Sequence, residues 1–376
     1  MFYFVVIALS SALSLPVERL LRARHAAWAV FAVAAVVSLS VLNGVRDYSI
    51  GTDVGVYGNY VFTAATYSQS LGSFLRTCDA LGGVEYGYAT LNYVVALFSD
   101  SPHVFYFVLG MLTNGIAFAA LCRLRRTTSI SLGWLVYELV FFPTTLNAMR
   151  QSVAIVLVLL AVIFAMESRL RISVLSLVVA FTFHRSAIIG LPIAVAAYLW
   201  CHQTATLNDA AMVRRRRLLL ITMLVVGALL PSAIGLLDSM GLIGEKYANY
   251  LAFSSDRDLL NPILVRFPFV LLAVWHFLGG LTDEHSESDI VMLFIVIELL
   301  LLPLKLVSDA AFRIALYFGI FKVVAYPAAV ARLDDFWRLT GNVALVAYLI
   351  FYFWWQIVLS GSEGIWPFVV AHEFLV

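Results

Sequence analysis

Apolar stretches of about 18 residues or more recur from one end of the chain to the other, broken by short polar links. That length matches the roughly 20 residues a helix needs to cross a hydrocarbon core about 30 Å thick. The pattern predicts helices over 2–15, 26–43, 102–121, 130–147, 152–166, 172–183, 187–200, 218–237, 262–281, 290–307, 312–330 and 339–358. An outer-membrane barrel would alternate apolar and polar positions in segments of about ten instead. The expected class is an all-α polytopic membrane protein of about 12 transmembrane or re-entrant helices, forming one integral membrane domain over 1–376. Residues 2–15 lack a positive region before the apolar run and are followed by PVERLLRARH, so they are expected to be an uncleaved first helix.

Short basic clusters orient the helices. Arg19, Arg22 and Arg24 follow the first, Arg123, Arg125 and Arg126 the third, and Arg169 and Arg171 the fifth. Arg214 to Arg217 precede the eighth, and Arg332 and Arg338 flank the last connection. With twelve helices and both termini outside, all of these fall on one side, which holds 14 of the 24 basic residues and is read as cytoplasmic.

This parity makes residues 172–200 a hairpin whose arms, of about 12–14 residues, reach only roughly 18–21 Å, short of a full crossing. His184 and Arg185 stand at its tip, where a polar turn is tolerated if it lines protein or a water-filled cavity. Residues 130–166 form a second hairpin with Arg150 and Gln151 at the tip. Arg266 begins the ninth helix, and Lys305 and Arg313 bracket an outer turn. The outer half thus holds Arg150, Arg185, Arg266, Lys305 and Arg313 against the positive-inside tendency, which points to an anionic ligand. Arginine suits phosphate through its bidentate fork and permanent charge.

Two outer loops follow from this topology. Residues 44–101 carry two amphipathic helices, near 55–70 and 86–98, whose Tyr57, Tyr86, Tyr88 and Asn92 suit a carbohydrate platform. Asp53 and Glu85 are the acidic candidates there, and residues 238–261 form the second loop. Asp256-Arg257-Asp258 has a metal-chelating spacing but reads as chance, and the Asp283, Glu284, His285, Glu287 and Asp289 cluster reads as a solvated turn.

Composition agrees: 62% of residues are hydrophobic, 12% charged, with a mean hydropathy of +0.94. A soluble protein would show about 45–50% and 25%. The net charge of +1 carries no information; the basic residues are 21 Arg and 3 Lys with RRRR at 214–217 as the only block, so no nucleic-acid partner is expected. Cys78, Cys122 and Cys201 lack pairing or metal spacing, and the chain has no phosphate-binding G-x-x-x-x-G-K-[ST] loop, so neither a metal nor a cofactor is expected.

The succession Arg46…Gly51-Thr52-Asp53…Tyr57, Glu85-Tyr86-Gly87-Tyr88…Leu91-Asn92, Arg150-Gln151…Ala154 and Phe183-His184-x-Ser186-Ala187-Ile188-Ile189 resembles the EpsG-like family. Arg313…Tyr317-Phe318 resembles its later Arg–Tyr-Phe element, and Trp366-Pro367-Phe368 its C-terminal Pro-Tyr, with Phe in the Tyr place. The resemblance implies a Wzy-type polymerase with a GT-C-like glycosyltransferase architecture. It would join undecaprenyl-diphosphate-linked oligosaccharide repeat units on the outer face of the bacterial cytoplasmic membrane. Partners would be that lipid-linked glycan and the bilayer; the sequence leaves open whether a chain-length regulator binds. In that reading Arg150, Arg185 and Arg313 clamp the diphosphate, with Gln151, Arg266 and Lys305 beside them. His184 contacts the diphosphate or takes the acceptor proton, with Asp53 or Glu85 as the rival base.

Other classes are opposed by placement. A flippase would carry cations deep in several helices or along a central cavity. A membrane O-acyltransferase would place its His toward a cytoplasmic donor. A structural partner would not need basic residues at two short hairpin tips. A ligase-type transferase shares the donor chemistry and differs only in its acceptor.

Overall fold

The computed structural model describes residues 1–80, 83–204, 286–302, 304 and 312–375, with single positions 211, 214, 218, 221, 266 and 268. The described residues are helical, and their one β-bridge joins Arg46 to Val370. Seven segments among them are long and apolar enough to cross a membrane: 2–22, 27–45, 102–123, 149–166, 185–202, 313–331 and 335–359. Apart from those single positions, the expected helices at 218–237 and 262–281 and the loop at 238–261 lie outside the described residues.

Helices α1 (Phe2–Arg22) and α2 (Ala27–Val45) pack as a pair, and α2 packs in turn on α6 (Pro102–Arg123). α1 runs a full turn and more beyond the expected stop and carries Pro16 inside it. The continuation holds because Val17 is buried, and Glu18 both pairs with Arg22 (2.5 Å) and accepts from Ile130 N (3.2 Å). Between α2 and α6 lie a π-turn at Val54–Gly58 and three short helices, α3 (Asn59–Thr66), α4 (Leu71–Ala80) and α5 (Tyr86–Ala96). α4 was not expected; its Phe74 and Cys78 are buried against neighbours.

The two expected hairpins are present, but the second arm of the 172–200 hairpin, 185–202, is long and apolar enough to cross a membrane, which corrects the expectation that both its arms fall short. α7 (Ile130–Val136) continues through a π-turn at Tyr137–Phe141 into α8 (Phe142–Asn147). Pro143 in the first turn of α8 donates no backbone bond, which suits the irregular winding just before it. The chain reverses at Ala148 into α9 (Met149–Met166). Arg123, the last residue of α6, pairs with Glu167, and both border one hollow with Thr127, so the link into α7 and the end of α9 share one end. α10 (Leu170–Phe183) and α11 (Gly190–Thr204) form the second hairpin, closed at its base by Ser168 Oγ against His202 Nε2 (2.5 Å). α9 is apolar on every side, and 89% of its spanning window is buried, against 28% for α1. It is the central helix, flanked by α6, α10 and α11.

α12 (Ser286–Leu300) begins earlier than expected, and its Asp289 is fully buried, which corrects the reading of that residue as part of a solvated turn. A 3₁₀ turn at Arg313–Ala315 leads into α13 (Leu316–Gly319), α14 (Lys322–Ala331) and α15 (Asp335–Phe353), which ends in a π-turn at Trp354–Leu359.

Arg22, Arg24, Arg125 and Arg126 line one hollow, and Arg123, Arg125, Arg126 and Arg169 another, so the first three basic clusters gather at one end of the bundle. The other end gathers both chain termini. Tyr3 stacks on Phe353 at 5.6 Å and meets Phe368 at 5.4 Å, and Ala371 N donates to Val45 O at 2.8 Å. Polar groups within the apolar bundle are joined to one another. Tyr137 donates to Asn114, Asn114 to Ser40 (3.0 Å), Trp134 to Ser10 (2.9 Å), and Ser11 to Glu138.

Candidate functional site

The site forms where the Gly51-Thr52-Asp53 segment docks on the tip of the α8–α9 hairpin. Gly51 has φ +83°, and a Cβ there would run into the Leu146 carbonyl, 2.9 Å from its carbon. Only glycine admits both the conformation and the approach. Thr52 then donates from N (3.0 Å) and Oγ1 (2.6 Å) to Asn147 Oδ1. Asp53 Oδ2 accepts from Met149 N at 3.1 Å and from the Tyr57 hydroxyl. Met149 is the first residue of α9, so Asp53 satisfies an orphan N–H and sits at the positive end of the central helix. Arg46, 1% exposed, locks the same link by donating to Leu146 O (2.5 Å) and Met149 Sδ (2.8 Å), with its guanidinium 4.5 Å from the centre of the Tyr106 ring.

Arg150, one residue further, turns toward the short helices between α2 and α6. It pairs with Glu85 at 2.5 Å and lies 4.0 Å over the Tyr57 ring. Glu85 stands at the start of α5, and Gly87 lets α5 meet the α10 tip: a Cβ there would be 2.8 Å from Thr182 O. At that tip His184 is extended (φ −158°, ψ 126°), and its Nδ1 accepts from Ser186 N at 3.3 Å. Ser186 Oγ lies 2.6 Å from Nδ1 and 2.8 Å from Tyr317 OH. A relay in which Tyr317 donates to Ser186 and Ser186 to Nδ1 assigns the proton of the neutral ring to Nε2. The third strand of the site is Arg313, whose carbonyl accepts from Gln151 Nε2 at 3.1 Å.

Burial pushes the Asp53 carboxyl above its ordinary range, against the opposing pulls of Tyr57, Arg313 and Arg150. Burial holds His184 below its ordinary range; Glu85 pulls it up, and Arg150 and Arg313 push it down. Among the described residues no group of three or more His, Cys, Asp or Glu could hold a metal ion.

Of the residues expected from sequence, Asp53, Tyr57, Glu85, Arg150, Gln151, His184 and Arg313 are therefore linked by direct contact or charge. Arg185 is exposed beside Gly83, and Tyr86 is also exposed. Tyr88 and Asn92 are fully buried, which corrects their reading as an open sugar platform. Asn92 donates to Tyr88 O at 2.8 Å, and Tyr88 packs edge-on to Tyr57 and Phe105, so the apolar side of α5 faces protein. Tyr57 is likewise buried under Arg150. Arg266 is buried and paired with Glu298 at 3.3 Å, and Lys305 lies outside the described residues.

The sequence reading missed Glu363, Glu298 and Lys322. Glu363 lies in the C-terminal segment, where it accepts from Thr144 Oγ1 (3.0 Å) and Asn147 Nδ2 (2.9 Å) and so holds the hairpin tip from the other side. Glu298 and Lys322 are ionisable residues set within apolar stretches, a signal that was visible in the sequence.

A polar, charged cluster at one end of a bundle of apolar spans defines a multi-pass membrane protein with a built site. The chain belongs to the EpsG family, whose model matches residues 29–370. That is a family of Wzy-type polymerases, and membership suggests an exopolysaccharide-related polymerase. No curated protein and no solved structure matches the chain.

Proposed function

We propose that this protein polymerises undecaprenyl-diphosphate-linked oligosaccharide repeat units at the outer face of the cytoplasmic membrane, within a GT-C-like architecture. Family membership supports the class of reaction. The observation that carries the site is the convergence of Asp53, Arg150, Glu85, His184 and Arg313 at the end of the bundle opposite the first three basic clusters. The positive-inside tendency supports reading that end as the outer one.

In this reading an acceptor sugar hydroxyl attacks the anomeric carbon of the donor glycan. The new glycosidic bond forms as the bond from that carbon to the diphosphate oxygen breaks, and the diphosphate leaves with the electron pair. Asp53 takes the hydroxyl proton. Its Oδ2 is held by Met149 N–H and the Tyr57 hydroxyl, while Oδ1 makes no bond among the described residues. Glu85 is less suited to that task because it is engaged with Arg150. His184, whose neutral ring carries its proton on Nε2 when Ser186 and Tyr317 are relayed to Nδ1, donates a hydrogen bond to the leaving diphosphate, and Arg313 stabilises its growing charge while Arg150 holds Glu85.

The test is polymer length in the native host with Asp53→Asn or His184→Ala replacing the wild type at matched membrane levels. The expected result is loss of long polymer and accumulation of single lipid-linked repeat units. Unchanged polymer in both variants would sink the site, and failure of the wild-type gene to restore polymer in a polymerase-deficient host would sink the function.

A further inference from the structure

A second cationic chamber adjoins the Asp53 side. It is a cavity of about 370 Å³, within the size range of small-molecule sites, walled by α8, α12, α13, α14, α15 and the C-terminal segment. Its lining includes Arg266, Arg313 and Lys322 against two carboxylates, Glu298 and Glu363. Glu363 is spent on Thr144 and Asn147, the hairpin tip that also receives Thr52. Deeper in, Glu298 Oε1 accepts from both Arg266 Nε (3.3 Å) and Lys322 Nζ. Glu298 is 2% exposed and Lys322 4%, and Glu298 Oε2 has no hydrogen-bond partner among the described residues. Gly319 leaves room for this carboxylate, since a Cβ there would be 3.3 Å from Oε1.

Two cations thus share one carboxylate oxygen at the floor of a cavity inside a membrane bundle, and a third, Arg313, lines the same cavity. A solitary structural ion pair would need one cation. Among the described residues the lining carries three cations against two carboxylates, and an excess of positive charge facing a chamber of this size is the arrangement that takes a polyanion in exchange for its hydration. Arg150, by contrast, is neutralised by Glu85 and covered by Tyr57, so the Asp53 side is close to charge balance.

We infer that this chamber is the seat of the donor's diphosphate, with Lys322, Arg266 and Arg313 as its cationic wall and Glu298 as the carboxylate that holds Lys322 and Arg266 in place. The inference rests on the polymerase reading and refines it: the diphosphate lies on the Arg313–Lys322 side, the sugars on the Asp53 side, and the bond that breaks lies between them near Arg313. Arg313 is suited to that position because it lines the cavity and also acts electrostatically on Asp53 and His184.

The experiment is calorimetric titration of inorganic diphosphate into the purified full-length protein in lipid nanodiscs, followed by displacement with farnesyl diphosphate. Wild type is expected to bind at one site. Lys322→Met should weaken binding roughly tenfold, the loss of one charged donor. Glu298→Gln should tighten it several-fold, because a negative charge leaves the wall; a purely structural role would give no gain. Lys322→Met leaves Glu298 buried without its cation, so the double variant Lys322→Met/Glu298→Gln is measured beside it and should bind more weakly than Glu298→Gln alone. Arg22→Gln, at the opposite end, should change nothing. Loss of binding in Arg150→Gln with wild-type affinity in both Lys322 variants would overturn the inference and return the diphosphate to the Asp53 side. Farnesyl diphosphate should displace inorganic diphosphate. A site that takes the free anion and rejects the prenyl form would overturn the assignment to the donor lipid. The polymer assay reads the underlying function separately, so a polymer-forming wild type without a Lys322-dependent diphosphate site refutes this inference alone.

Discussion

Gly51→Ala isolates the docking that builds the site without removing any of its functional groups. The substitution asks alanine to hold φ +83°, which costs about 1–2 kcal/mol for a residue with a Cβ. It also sets a methyl group 2.9 Å from the Leu146 carbonyl carbon and 3.2 Å from Asn147 Cα, where backbone must give way. The segment then lifts from the hairpin tip. The bonds at risk are the two from Thr52 to Asn147 and the one from Met149 N to Asp53. At roughly 1 kcal/mol each, the docked state loses on the order of 3–5 kcal/mol in all. The spans do not depend on this contact, so the protein should still insert and accumulate. An Asp53 displaced by about 1 Å should nonetheless cost the reaction on the order of a hundredfold. The assay compares membrane abundance by immunoblot with polymer length by gel. Wild-type polymer from Gly51→Ala at wild-type abundance would refute the claim that docking at Leu146–Met149 positions the carboxylate.

Further outcomes follow from the same contacts. Polymer formation in isolated membranes should show an acid limb centred above the ordinary aspartate value of about 3.9, because the Asp53 carboxyl is raised and must be unprotonated to accept a proton. The sign for stability is opposite: the fold favours the protonated carboxyl, so the contribution of this group is greatest below that ordinary value and fades as pH rises through the raised one. An acid limb that survives in Asp53→Asn would show that another group titrates. Ser186→Ala breaks the relay from Tyr317 to His184 and should lower polymerisation about tenfold at unchanged protein level, with Tyr317→Phe similar; full activity in both would remove the relay from the mechanism. Arg46→Met removes the clamp on Leu146 O and should destabilise the hairpin tip by about 2–3 kcal/mol, read as lower thermal stability in detergent; an unchanged melting temperature would contradict the clamp.

What the sequence made legible, and what it hid, divides along a physical line. The spans and the two hairpins follow from one-dimensional quantities, the length of apolar runs and the side on which basic clusters must lie. Arg123 with Glu167, and Ser168 with His202, close the hairpins where that parity required. The acidic and basic members of the site were also visible, because charge beside apolar sequence is expensive and therefore informative. Tyr88 and Asn92 were misread for the opposite reason. A loop that is polar on average still folds into its own layer, and composition does not say which side of α5 meets α3 and α6. The role of Asp53 was hidden more deeply. Its partner Met149 lies 96 positions away, and a carboxylate that caps a helix from another segment leaves no local pattern of the kind a capping box provides. Lys322 and Glu298 fall between these cases. Each is a charge within an apolar stretch and so announces itself, but only the fold shows that they meet, with Arg266, at the wall of one cavity. The two halves of the site differ accordingly: one has its charges at the hairpin tips that the apolar pattern marks, the other has isolated charges whose meaning depends on how the helices pack.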